Sequence, residues 1–148
     1  MKSYTDLEQS KKLADFLPPE SADMMYHSVE NEWGSGAFVA TSKVITNGFE
    51  NDDFYLDDIP CWSLAALMNL LPSKFTEKGK YSETTYEIHI RKYALTNDVD
   101  LYQIAYGNYK WYEDGSHSWK DMINTGEKEN LIDAAFDMIC WLKENNKL

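Results

Sequence analysis

The chain has 148 residues, 43% of them hydrophobic and 14% aromatic, which is enough apolar material for a core and excludes disorder along its whole length. At roughly 100–200 residues per domain it reads as a single domain spanning 1–148. Fourteen basic against 25 acidic side chains leave a net charge of −11, which repels nucleic-acid phosphates and anionic lipid, so neither direct nucleic-acid binding nor a membrane role is expected.

The first nineteen residues, MKSYTDLEQSKKLADFLPP, hold no apolar run of signal-peptide length, and no later run approaches the ~20 residues of a membrane span. A cytoplasmic setting is the expectation. Thr5 and Glu8 stand in capping-box relation and Pro18-Pro19 end the pattern, which predicts a helix over Asp6–Leu17 with Leu7, Ser10, Leu13, Ala14 and Leu17 on its buried side. Residues 23–29 and 37–45 have strand composition, joined by the glycines of WGSG and followed by an Asn47-Gly48 turn signal. The run ENDDFYLDD then reads as an acidic loop leading into Pro60.

PCWSLAALMNLLP reads as a short, central helix bounded by Pro60 and Pro72, with Cys61, Leu64, Leu67, Met68 and Leu71 on one side. From Tyr81 the period changes to two. Tyr86, Ile88 and Ile90 alternate with Glu87, His89 and Arg91, and Tyr102, Ile104 and Tyr106 alternate with Leu101, Gln103 and Ala105, with an Asn97-Asp98 turn between the two strands. A third strand, Asn108–Tyr112, is expected after Gly107, ending at Asp114-Gly115. The last element is a helix capped by Asn130, with Asp133 and Asp137 early, Lys143 and Lys147 late, and Asn145-Asn146 as a left-handed end. Together these predict an α+β fold: an antiparallel sheet of three or more strands packed against two or three helices, the last two helices burying their stripes on the sheet.

Little in this pattern carries chemistry. His27, His89 and His117 show no metal-ligand spacing, and the acids at Glu50, Asp52, Asp53, Asp57 and Asp58 lack the order of a calcium loop, so no metal is assigned. The histidines read as structural or solvent-exposed. Cys61, Ser63, Ser116, His117 and Ser118 include nucleophile types, but no base is placed to activate them, and the glycines of WGSG fit neither a dinucleotide nor a P-loop fingerprint. No catalytic residue and no cofactor are assigned. Cys61 and Cys140, each inside an apolar pattern, read as buried free thiols. Two tryptophans do stand out. Trp62 lies about 160° from the centre of its helix's apolar stripe and Trp141 falls among Asp133, Asp137 and Glu144, so each is either covered by a neighbouring segment or anchors a partner.

The strings TDLEQSKKLA, ESADM, PCWSLAAL ending in LLP, and NLIDAAFDMICWL resemble a family of small uncharacterised proteins encoded by gut anaerobes and by their phages and mobile elements. The resemblance covers both ends and the centre and implies a cytoplasmic setting with no assigned catalytic residue. Leu131 stands where the family has Pro after the cap of the final helix. Three functional classes follow. A non-enzymatic protein-interaction module with an unknown protein partner is favoured, followed by an acidic inhibitor or DNA mimic of a nucleic-acid-binding enzyme. The third is an enzyme whose site is assembled from distant residues.

Overall fold

Asp6, not Thr5, opens the first helix in a computed structural model of the chain, which describes residues 2–31, 34–41, 55–94 and 99–148, with side chains outside 27–58 and 121–122. Its carboxylate accepts from the Gln9 amide (2.9 Å), while the Gln9 side chain accepts from the Asp6 amide (3.2 Å), so the capping box sits one residue later than expected. Helix α1 spans Leu7–Ala14. Thr5 is freed for the interior, where its hydroxyl meets Ser10 Oγ (2.7 Å) and accepts from the Trp62 amide (3.1 Å).

The described residues hold three α-helices and two antiparallel sheets, an α+β fold, and no helix among them is long and apolar enough to cross a membrane. The chain divides into two compact units, Met1–Met68 and Asn69–Leu148. In the first, β1 (Met24–Asn31) is the centre of a three-stranded sheet between β2 (Gly34–Thr41) and β3 (Tyr55–Cys61). β3 corrects the sequence reading: residues 55–58 of the expected acidic loop belong to a strand that pairs with β1, Ile59 opposite Tyr26 and Cys61 opposite Met24. Pro60 is tolerated there because, among the described residues, β3 is an edge strand, whose outer side needs no amide donor. The Asn47-Gly48 turn and residues 50–54 of the acidic run lie outside the described residues.

Helix α1 packs on β3, and Leu13 and Leu17 are buried. The expected helix over Pro60–Pro72 shrinks to α2 (Leu64–Leu70), because Cys61 completes β3 and Ser63 begins the helical hydrogen bonding. The Ser63 carbonyl accepts from the Leu67 amide (3.0 Å) and its hydroxyl accepts from the Ala66 amide (3.3 Å). That hydroxyl in turn donates to the Asp23 carboxylate, whose other oxygen accepts from the Ser63 amide (2.9 Å).

In the second unit the order is β4 (Lys74–Lys78), β5 (Glu83–Ala94), β6 (Asp100–Trp111) and β7 (His117–Asn124), each antiparallel to the next. The predicted third strand is the end of β6: Gly107 does not break it but lies in line. β7 then pairs back through the expected Asp114-Gly115 turn, where Gly115 takes φ +81° and its amide reaches the Tyr112 carbonyl (3.0 Å). Asn97-Asp98 lies outside the described residues. Helix α3 (Leu131–Glu144) begins at Asn130, whose side chain accepts from the Asp133 amide (2.9 Å), and is followed by Asn146 at φ +54°, as expected from its two ends.

α3 packs on β6. Ile132, Ala135, Met138, Ile139 and Leu142 are fully buried, each larger one contributing about 1.5–3 kcal/mol by leaving water. The covered face of the sheet continues through Tyr106 and Tyr86 to Phe75, whose ring lies 5.1 Å from both. Lys147, just past α3, sits over the Phe75 ring (5.6 Å) and pairs with Glu77 (2.8 Å).

Candidate functional site

Strand residues alternate between faces, so Gln103, Ala105, Gly107, Tyr109 and Trp111 of β6 point away from the face that carries Tyr102, Ile104 and Tyr106. Register fills in the rest of that second face. β5 sets His89 opposite Ala105, Arg91 opposite Gln103 and Tyr93 opposite Leu101, and β7 sets Trp119 opposite Tyr109 and His117 opposite Trp111.

The result is a continuous row of rings across three strands. His89 meets Trp119 edge-on at 4.9 Å, Trp119 meets Tyr109 at 5.1 Å, Tyr109 meets His117 at 5.4 Å, and His117 meets Trp111 at 4.8 Å. Neighbouring planes are inclined by 41–90°; the His89–Trp119 and Trp119–Tyr109 pairs have the edge-to-face geometry that the ring quadrupole favours, and the two pairs made by His117 are tilted. Gly107 makes the first link possible. A Cβ there would run into the Lys120 carbonyl oxygen and lie 2.9 Å from Trp119 Cε2, so only glycine leaves room for the indole to cross β6 toward β5.

Beyond His89 the row becomes polar. Arg91 contacts His89 Nδ1 (3.3 Å) and donates to the Tyr93 hydroxyl (3.4 Å) and the Gln103 carbonyl oxygen (3.5 Å), which also accepts from Tyr93 (3.0 Å). Gln103, 6% exposed, is thereby satisfied in the interior. The other end of the row is open: Tyr109 is 50% exposed and Trp111 69%. The adjoining turn carries Glu113 and Asp114, and hydrogen bonds from the Ser116 hydroxyl and amide hold the Asp114 carboxyl below its usual range.

The residues singled out from sequence fare differently. Trp62 is 0% exposed and precedes α2 instead of lying on it, and its indole N–H donates to Ser21 Oγ (3.0 Å). A ring so enclosed anchors the interior of its own unit and offers no surface to a partner. Trp141 is half-buried on α3. Cys61 is buried against Thr5, burial pushes its thiol up, and so the reactive thiolate is suppressed. Ser63 is committed to the start of α2, Ser116 to Asp114, and Ser118 to the Tyr112 hydroxyl (3.1 Å).

His89 and His117 do share one face, yet two aromatic rings separate them. Among the described residues, no group of three or more His, Cys, Asp or Glu side chains is arranged to hold a metal. Of the remaining members of the row, Tyr109 and Trp111 fall in the expected strand Asn108–Tyr112, whereas Trp119 lies in a strand the sequence reading does not predict. No protein-family model matches the chain, and no curated protein or solved structure matches it either.

Proposed function

We propose that the chain is a protein-recognition module that docks a partner on the ring-lined face of its four-stranded sheet. The observation that carries this reading is the exposure of Trp111 and Tyr109 in a row of rings each packed against its neighbours. Large aromatic side chains left in water are costly for a monomer and are the residue types that dominate binding energy at protein interfaces. Holding each ring against its neighbour also lowers the entropy lost on docking, since a ring already fixed has little left to lose.

A photo-crosslinking amino acid at position 111, expressed in the host that makes the protein, tests the reading. We expect a discrete protein adduct that is absent when the same group replaces Tyr81, which is 88% exposed in the β4–β5 turn and has no part in the row. Equal labelling at the two positions, or none at 111, contradicts it.

A further inference from the structure

Two other exposed rings in the second unit are not left bare. Lys80 lies over Tyr81 (5.1 Å) and Lys110 over Tyr112 (5.9 Å), each placing an ammonium against the electron-rich face of a ring, as Lys92 does over the buried Tyr102 (5.8 Å). The β6–β7 hairpin thus has two unlike faces. On one, Tyr112 and Ser118 share a hydrogen bond beneath Lys110. On the other, among the described residues, no lysine or arginine of the chain stands over Tyr109 or Trp111, although both are wide open to solvent.

Charge around that end favours filling the gap with a cation. The turn beside Trp111 contributes two carboxylates, Glu113 and Asp114, and no basic group. Arg91 sits at the opposite end of the row, turned onto His89, Tyr93 and Gln103. Each unit is negative by itself: residues 1–68 have four basic and 12 acidic side chains, and residues 69–148 have 10 and 13. The long-range field therefore draws positive segments and turns away acidic ones, whichever unit a partner meets first.

We infer that the occupant of the face is an extended, arginine- or lysine-bearing polypeptide segment, with a cationic side chain laid over Trp111 and Tyr109 and its charge answered by Glu113 and Asp114. This rests on the reading of the face as a docking surface and adds the chemistry of what docks. It also gives the acidity of the chain a role in recognition.

Isothermal titration calorimetry of the full chain with three capped nonapeptides separates the possibilities: Ac-GRGRGRGRG-NH2, Ac-GEGEGEGEG-NH2 and an all-proline peptide. The arginine peptide is expected to bind, and Trp111→Ala and Tyr109→Ala are expected each to weaken it by about three- to thirty-fold, the range for a cation over an aromatic ring. Neither substitution alters net charge, so attraction by bulk charge alone leaves both variants unchanged. Glu113→Gln is expected to weaken binding further than Glu8→Gln, which removes the same charge from an exposed position on α1. Arginine-peptide binding that ignores Trp111 and Tyr109, or no binding of that peptide at all, overturns the inference. Trp111-dependent binding of the proline or glutamate peptide overturns it too, while leaving the docking surface itself in place.

Discussion

Two residues show how a single side chain can mislead or inform. Trp62 was legible as unusual, but its angle was measured on a helix that does not yet exist at that position, since α2 begins at Leu64. The rule of 100° per residue holds only inside a helix, and Pro60, which suggested a helix start, sits instead in an edge strand. Gly107 reads in sequence as a glycine that separates two strands, yet it lies in line within β6. Its actual requirement is space, because the β7 backbone and the Trp119 ring both lie where a Cβ would be. Gly107→Ala is therefore expected to cost about 1–3 kcal/mol, the range for forcing extra volume into a filled site. Urea unfolding measures it, and a variant within about 0.5 kcal/mol of the parent would mean that the β6–β7 approach is loose.

Among the elements, the final helix was readable almost to the residue. Its cap, stripe and left-handed end are all local signals, and Asn130 and Asn146 meet them. β4 and β7 were not readable, for two different reasons. β4, KFTEK, offers one apolar side chain, Phe75, too few to define a period. In β7 the register shifts between the pairs Tyr106–Ile123 and Gly107–Asp121, so Trp119 and Ile123 fall on opposite faces despite their even spacing. A bulge erases the alternation on which strand recognition depends.

The end of the chain closes onto β4 through Lys147 and Glu77. The hydrogen bond from Lys147, with its charge, holds the Glu77 carboxyl below the usual range. A carboxyl depressed in the folded state contributes stability above its unfolded value of about 4.3 and loses it as pH falls through the folded value. The Glu77 side chain is 41% exposed, so solvent screening limits the effect to a few tenths of a kcal/mol. Between about pH 5 and 3, the wild type is expected to lose that much more stability than Glu77→Gln; parallel pH profiles for the two proteins contradict the pairing.

At the scale of the whole molecule, acidity and aromaticity are distributed unequally. Residues 1–68 hold eight of the eleven net negative charges, whereas the ring row lies wholly within residues 69–148. Composition alone displayed both quantities but not their separation from the core. Twenty-one aromatic residues among 148 suggested a generous interior, and Trp62, Tyr86, Tyr102 and Tyr106 do serve it. Tyr109 and Trp111 do not, and only strand register reveals that they align with Trp119 and His117 on one face. The ring-lined face was thus present in the sequence as residues but not as a surface, because its members come from three strands, one of them hidden by a bulge.

The account stands on these outer rings serving recognition and not the stability of the fold. Equilibrium unfolding of the Tyr109→Ala/Trp111→Ala double variant, beside Trp62→Ala, measures this directly. We predict that the double variant stays within about 1 kcal/mol of the wild type, as for exposed substitutions, while Trp62→Ala loses about 3–5 kcal/mol. A loss for the double variant as large as that of Trp62→Ala would show that the rings hold the sheet together, and the face would cease to be a surface kept for a partner.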